Sequence, residues 1–331
     1  MDALSEPTLL VACIELAIGL ALLTKAADLF VDGAVAAAAA AKVSPVVVGA
    51  VIVGFGTSAP ELLVSGIAAS NGDVDLGVGN IVGSNVANLS LVLAAAALVI
   101  PVLVTRSVLA REAPLSLMAV ALFAFFTIDG FAVWEGIVMF LVLFAVLAWV
   151  VLGGHQDSRQ MLETDEEVGL GRSMGVTSVG LLGTLFGAQL TVWGAIGIAE
   201  RYGLSGGFIG FTLVALGTSL PELVTAVAAA RKGETELILG NLLGSNIFNS
   251  LAVGGLVALL GAGAIDDELM RSYGVVLMLL VAVLAWVFMV VRRRVSKPEA
   301  TILLTAYAMA ILLLSDLDVA DSLRSGIESL S

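Results

Sequence analysis

The chain has 331 residues, 59% of them hydrophobic and only 13% charged. A soluble protein of this length needs far more polar surface to cover itself, so the composition excludes a soluble globular fold. The formal charge of −13 collects in loops and termini such as "ETDEEVG" (163–169) and "SDLDVADS" (315–322), which read as solubilising acidic segments, and no nucleic-acid partner is expected.

Apolar runs of about 20 residues recur along the chain, the length at which a helix crosses a bilayer. Period-2 alternation is absent, which argues against a porin-like barrel. The pattern predicts helices over 8–38, 43–70, 76–100, 112–128, 132–152, 174–200, 205–231, 236–261, 272–292 and 299–315. The expected fold is therefore all-α: a polytopic membrane protein with ten transmembrane helices. The first helix carries Glu15, Lys25 and Asp28 and is too long for a cleaved signal peptide. Lys25 and Asp28 are three apart and are expected to pair with each other. Glu15, Glu112, Asp129 and Glu135 lie near helix ends or short turns and are expected to face water or headgroups. Cys13 is the single cysteine, so no intrachain disulfide forms, and His155 is the single histidine, in a polar loop.

The longest loop, 153–173, divides the chain into two groups of five helices, 1–152 and 174–331. The groups resemble each other. A shift of 161 aligns "GTSAPEL" (56–62) with "GTSLPEL" (217–223), and "GNIVGSNVAN" (79–88) with "GNLLGSNIFN" (240–249), without a gap. This is an internal duplication. Five is odd, so the second unit crosses the membrane in the opposite sense. With the N-terminus outside, the inside loops carry Lys42, Arg106, Arg111, Arg159, Arg172, Arg231, Lys232, Arg292, Arg293, Arg294 and Lys297; the outside carries only Arg201, Arg271 and Arg324. The positive-inside rule favours that orientation, with both termini extracellular and 153–173 cytoplasmic. Inverted repeats of this kind build secondary transporters, whose binding site lies at the repeat interface near the midplane.

Each repeat places a glutamate behind a proline in the apolar core: Glu61 after Pro60, and Glu222 after Pro221. Intramembrane charge is costly and usually functional. Pro60 has no N–H and clashes one turn back, and it disfavours helical geometry at Ala59. The helix should break near 56–60, leaving carbonyls around Gly54 to Thr57 without intrahelical partners; Pro221 should do the same around Ala215 to Thr218. Each glutamate then starts a new half-helix, whose dipole favours the ionised form. Thr57, Ser58 and Glu61 converge their oxygens, as do Thr218, Ser219 and Glu222. Ser84 and Asn88 share a helix face, as do Ser245 and Asn249. Such an all-oxygen set suits a hard cation such as Ca²⁺, which takes about 6–8 oxygens; the sulfur or imidazole preferred by zinc or copper is missing. Asn80, Asn85, Asn241 and Asn246 are expected to brace backbone, and Gly79, Gly83, Gly240 and Gly244 to allow close helix packing.

The paired motifs "GFGTSAPELLVS…GNIVGSNVAN" and "ALGTSLPELVTA…GNLLGSNIFN" resemble the α-1 and α-2 repeats of the sodium/calcium exchanger family, within the Ca²⁺:cation antiporter superfamily, in its short prokaryotic form. The resemblance covers essentially the whole chain. It implies a Na⁺/Ca²⁺ antiporter of the plasma membrane, working by alternating access, in which Glu61 and Glu222 are the shared Ca²⁺/Na⁺ carboxylates. It further implies carbonyl ligation from Thr57 and Thr218, Na⁺ ligation by Ser58, Ser219, Ser84 and Ser245, outer Na⁺ sites near the Gly54 and Ala215 carbonyls, and central positions for Asn88 and Asn249. Ca²⁺ and Na⁺ bind as transported substrates, with no cofactor, no catalytic residue and no protein partner. Many prokaryotic members and the K⁺-dependent branch carry Asp at the position of Asn249, so the amide argues against K⁺ cotransport. The cation/proton branch carries glutamate at the positions of Gly83 and Gly244, so the glycines argue against H⁺ as the driving ion. Ca²⁺/H⁺ exchange, or Na⁺-coupled exchange of another divalent ion, is the alternative.

Overall fold

The structure, a computed structural model, describes residues 9–157, 169–201 and 215–328. It is built almost wholly of helices: α1 (Leu9–Ala41), α2 (Pro45–Thr57), α3 (Ala59–Ser70), α4 (Val74–Val99), α5 (Arg106–Phe126), α6 (Val133–Asp157), α7 (Leu170–Arg201), α8 (Ala215–Thr218), α9 (Leu220–Lys232), α10 (Thr235–Leu260), α11 (Met270–Arg292) and α12 (Lys297–Glu328). Among the described residues, eight helices are long and apolar enough to cross a membrane, and nine if the bent pair α2–α3 is one span. The seventh expected helix, 205–231, is described only from Ala215 onward. Expected boundaries shift by a few residues elsewhere, except that the last helix, expected over 299–315, runs on to Glu328 and takes in the acidic segment 315–322. The fourth helix begins earlier, at Arg106, and is interrupted at Arg111 (φ −131°, ψ −72°). A two-residue antiparallel pair, β1 (Val102–Leu103) with β2 (Arg294–Val295), joins the turns after α4 and α11.

The duplication is visible in the backbone. Ser58 (φ −83°, ψ 6°) and Ser219 (φ −89°, ψ 3°) leave helical geometry in the same way. Gly72 and Gly233 both end their helices at positive φ, 86° and 80°, a left-handed turn that glycine adopts without strain. Within α4 and α10 a single wide π turn begins at the paired asparagines, over Asn88–Val92 and Asn249–Val253. Such turns shift the phase of a helix and concentrate at functional sites.

By packing, the chain divides into two compact units, each drawing on both sequence repeats: Met1–Pro60 with Leu147–Ser245, and Glu61–Val146 with Asn246–Ser331. In the first unit, α1 and α7 run antiparallel with their backbones in contact. A Cβ added at Gly180 would lie 2.5 Å from the Phe30 backbone, and one at Gly187 would lie 2.6 Å from that of Leu23. The reciprocal holds for Gly33 against Thr177, at 2.5 Å. Small residues make this approach possible, and dispersion across it replaces a hydrophobic force that lipid does not supply. Thr177, Thr184 and Thr191 keep their hydroxyls satisfied by donating to carbonyls four residues back, each at 2.8 Å. Asp28 of α1 pairs with Arg231 of α9 at 3.4 Å rather than with Lys25. Lys232 reaches the Asp28 carbonyl at 2.8 Å and the Asp32 carboxylate at 2.5 Å. The helix crossing overrides the local spacing, because it offers two cations at the end of α9.

In the second unit, Val102 pairs with Val295, and Phe131 pairs with Gly263 through both backbone bonds, 2.8 Å each way. Glu112 is fully buried, contrary to its expected exposure near a helix end. The irregular residue Arg111 explains this: its Nε sits 2.6 Å from the Glu112 carboxylate, so the charge enters the interior already paired. Glu135 does behave as a helix-end acid, accepting the Ala132 N–H at 2.8 Å.

Candidate functional site

The helix does break where the prolines stand, with a 45° bend between α2 and α3. The departure falls on Ser58, and Ala59 is already helical, which corrects the expectation that Ala59 would leave the α region. A proline in the first turn of a helix removes no donor that the helix needs, so α3 can start directly ahead of Pro60. The carbonyls before the break are also less bare than expected. Gly54 O accepts from the Ser58 N–H at 3.2 Å and the Ser245 hydroxyl at 3.2 Å, and Val53 O accepts from the Thr57 hydroxyl at 3.0 Å. Glu61 and Glu222 occupy the first turns of α3 and α9, and both are completely buried.

In the first unit, the start of α10 crosses α2 at backbone contact. A Cβ on Gly244 would lie 2.5 Å from the Ala50 backbone, and one on Gly54 would lie 2.9 Å from the Ser245 nitrogen. That crossing assembles a polar cluster in an apolar span. Ser58 Oγ donates to Glu222 Oε1 at 3.3 Å, and the Thr57 and Ser245 hydroxyls stand beside the same carboxylate. Thr57 Oγ1 also lies 3.2 Å from Asn241 Oδ1 and 3.4 Å from Ser245 Oγ, so Asn241 and the Val53 carbonyl are alternative acceptors for its single hydrogen. Asn241 thus holds a side chain, where it was expected to hold backbone. Thr218 and Ser219 are buried at the second break; Ser219 Oγ and Glu222 Oε2 have no hydrogen-bond partner among the described residues. Ala215 opens the short helix α8.

In the second unit, Ser84 donates to Glu61 Oε1 at 3.4 Å. Asn80 donates to the Glu61 carbonyl at 3.4 Å and to Ser65 Oγ at 2.9 Å, which does brace the glutamate's own backbone. Asn88 donates to Asn246 Oδ1 at 3.1 Å, and Asn246 donates to the Asn85 carbonyl at 3.3 Å. Asn85 donates to Ser250 Oγ at 3.0 Å. Asn249 is fully buried, and neither of its polar side-chain atoms has a partner among the described residues. Ser65 and Ser250 complete these clusters and were not singled out from the sequence. The available signal was position: Ser65 lies one turn after Glu61, and Ser250 directly follows Asn249. Neither is duplicated, the partners under the 161 shift being Ala226 and Leu89.

The glycines of the second motifs divide unequally. Gly240 and Gly244 permit backbone contact with α2, as expected; among the described residues Gly79 meets nothing closer than Met270 at 3.9 Å and Gly83 has no atom within 4 Å.

The clusters consist of oxygen donors: carboxylates, hydroxyls, amides and carbonyls. Among the described residues no group of three or more His, Cys, Asp or Glu could hold a metal. Oxygen donors of this kind are the ligands that hard cations take. The helices that carry the second motifs, α4 and α10, have 78% and 89% of their apolar windows buried, so these residues are shielded from lipid.

A model of the family described as "Sodium/calcium exchanger protein" matches residues 11–152 and 172–315. The putative antiporter CaxA of Alkalimonas amylolytica is 39% identical over 316 residues, covering 90% of this chain and 97% of that one. The sodium/calcium exchanger MaX1 of Methanosarcina acetivorans is 28% identical over 340 residues, with the same two coverages of 90% and 97%. Among solved structures, the sodium-calcium exchanger NCX_Mj superposes with a TM-score of 0.83 at 30% identity, over 93% of this chain and 100% of that one.

Proposed function

Because the chain belongs to the sodium/calcium exchanger family, we propose that it is a K⁺-independent antiporter that exchanges Na⁺ for Ca²⁺ across the plasma membrane. The observation that carries this is the pair of fully buried glutamates, each at a proline break and each accepting from a serine hydroxyl. Two ionised carboxylates bring two negative charges. One Ca²⁺ neutralises them, and so do two Na⁺; the resemblance to the family implies a third Na⁺, which leaves a positive charge to be moved and makes the exchange electrogenic. Thr57, Ser58, Ser245 and Gly54 support Glu222, and Ser84 supports Glu61. Thr218, Ser219, Asn88, Asn249 and the Ala215 carbonyl supply the remaining oxygens. Since the bound ions decide which charges are compensated, each occupancy favours a different arrangement of the helices, which is what alternating access requires.

The test is ⁴⁵Ca²⁺ uptake into proteoliposomes under an imposed Na⁺ gradient, a pH gradient, or a Na⁺ gradient with and without K⁺. Uptake should follow the Na⁺ gradient, be indifferent to K⁺, and respond to membrane potential. Uptake driven by pH alone would assign proton exchange instead.

A further inference from the structure

Two asparagines stand at equivalent places in the repeats, Asn88 and Asn249, and only one of them has a defined orientation. An asparagine amide offers an oxygen on one side and a hydrogen-bearing nitrogen on the other. A cation accepts the first and is repelled by the second. Which side faces the ion is therefore a functional matter, and the amide has no way to decide it alone.

For Asn88 the choice is made by a relay that starts at a backbone atom. The carbonyl of Asn85 can only accept a hydrogen bond. It faces the Asn246 side chain at 3.3 Å, so Asn246 must turn its Nδ2 toward it. That places Asn246 Oδ1 on the other side, against Asn88 at 3.1 Å, where it too can only accept. Asn88 must answer with Nδ2. Its own Oδ1 is then left over, buried and with no hydrogen-bond partner among the described residues. Asn88 and Asn246 are 0% exposed and Asn85 1%, so water does not compete for these bonds. Leaving a buried amide oxygen unmatched is costly unless something else binds it.

The second repeat lacks the relay. The 161 shift makes Asn85 the counterpart of Asn246, but Asn85 donates to Ser250 Oγ at 3.0 Å and to Met278 Sδ at 3.4 Å. Ser250 stands where the first repeat has Leu89, so this diversion exists only once. Asn249 accordingly keeps both amide atoms without a hydrogen-bond partner among the described residues. The duplicated motif thus provides one amide whose oxygen is oriented by hydrogen bonds and one on which the described residues place no such constraint.

We propose that Asn246 is a positioning residue: it reads the polarity of the Asn85 carbonyl and passes it to Asn88, so that Asn88 presents only its carbonyl oxygen to the transported cation. This rests on the exchanger function proposed above. It predicts a dependence of one residue on another that a merely structural asparagine would not show.

The experiment is a double-mutant cycle on the purified full-length protein, with equilibrium ⁴⁵Ca²⁺ binding as the readout and Ca²⁺ as the only probe. Asn246→Leu keeps the volume but carries no polarity, so Asn88 becomes free to turn. It should weaken Ca²⁺ binding by about tenfold in the parent, and by less than about twofold in an Asn88→Ala background, since coupled neighbours are non-additive. Asn246→Ala is run in parallel, with size-exclusion profile and thermal unfolding recorded without Ca²⁺, so that binding is compared among folded proteins. Equal losses in both backgrounds would overturn the relay, as would unchanged binding in Asn246→Leu or in Asn88→Ala. Glu61→Gln is measured alongside. If it abolishes binding while the cycle is additive, the relay alone is wrong; if it binds Ca²⁺ normally, the exchanger site and the relay fall together.

Discussion

Ser58 Oγ lies 3.3 Å from Glu222 Oε1, so the serine of the first motif serves the carboxylate of the second. The two residues are 164 positions apart and belong to different repeats. The contact exists because α10 crosses α2 at glycine, which also brings Ser245 and Thr57 beside that carboxylate. Glu222 therefore draws its surroundings from both repeats, whereas the described partners of Glu61, Ser84 and Asn80, lie in its own repeat.

The charge itself is the first thing to remove. Glu61→Gln and Glu222→Gln keep the shape of the side chains, and each takes one of two negative charges from a divalent-cation site. Each should abolish Ca²⁺ uptake in proteoliposomes while leaving the protein monodisperse. Near-parental uptake by both variants would show that these carboxylates do not face the transported ion.

Ser58→Ala removes a single neutral donor from Glu222 and leaves the charge. Hydrogen bonds to charged groups contribute about 1.5–3 kcal/mol, so the half-saturating Ca²⁺ concentration should rise by about tenfold or more. Alanine accepts the φ and ψ of position 58, and the break is set by Pro60, so the bend should survive. A variant that loses folding instead of affinity would place Ser58 in the scaffold.

Much of this was legible in the sequence, and the reasons are local. Pro60 and Pro221 act on the backbone around them, so the breaks and the glutamates beside them could be read without knowing any neighbour. The contacts among side chains could not. Asn80 and Asn246 are both motif asparagines, but one bonds a serine and its neighbouring backbone while the other joins a relay; the difference lies in which helix passes opposite. Asp28 lies three residues from Lys25, but α9 brings Arg231 to it. Glu112 is buried because Arg111 is irregular and pairs with it, and no pattern of hydrophobicity announces that.

The orientation in the membrane rests on eleven basic residues in the loops assigned to the inside against three outside. Cysteines placed at Asp2 and Ser331 in a Cys13→Ala background should both react with an impermeant thiol reagent in intact cells. Protection of both until the membrane is opened would invert the topology.

Identical motif glycines should respond differently to the same substitution. A Cβ at Gly244 would meet Ala50 backbone at 2.5 Å, whereas one at Gly83 would meet nothing within 4 Å among the described residues. Overpacking at backbone contact costs about 1–3 kcal/mol. Gly244→Ala should lower the thermal unfolding midpoint of the purified protein and weaken Ca²⁺ uptake, because the crossing that seats Ser245 beside Glu222 is pushed apart. Gly83→Ala should match the parent in stability. Equal midpoints for the two variants would mean that the α2–α10 crossing tolerates a methyl group.

Asn249 offers a sharper probe of the ion site, because its substitution adds a charge where the protein has an unpartnered amide. Both Asn249 Oδ1 and Nδ2 are buried without a hydrogen-bond partner among the described residues. Asn249→Asp changes one amide to a carboxyl of the same shape. The amide does not titrate; the carboxyl binds a proton, and that proton competes with a cation for the same oxygens. As pH falls, the variant should therefore lose Na⁺-driven Ca²⁺ uptake at a higher pH than the parent does. At alkaline pH, with the carboxyl ionised, the extra negative charge should favour Ca²⁺ and lower its half-saturating concentration. The measurement is a pair of pH profiles of ⁴⁵Ca²⁺ uptake at matched Na⁺ gradients, repeated with and without K⁺. The parent should show no K⁺ effect, and any K⁺ stimulation should appear only in the variant. Superimposable pH profiles would show that residue 249 does not face the transported ions, and would remove it from the set of oxygens assigned to them.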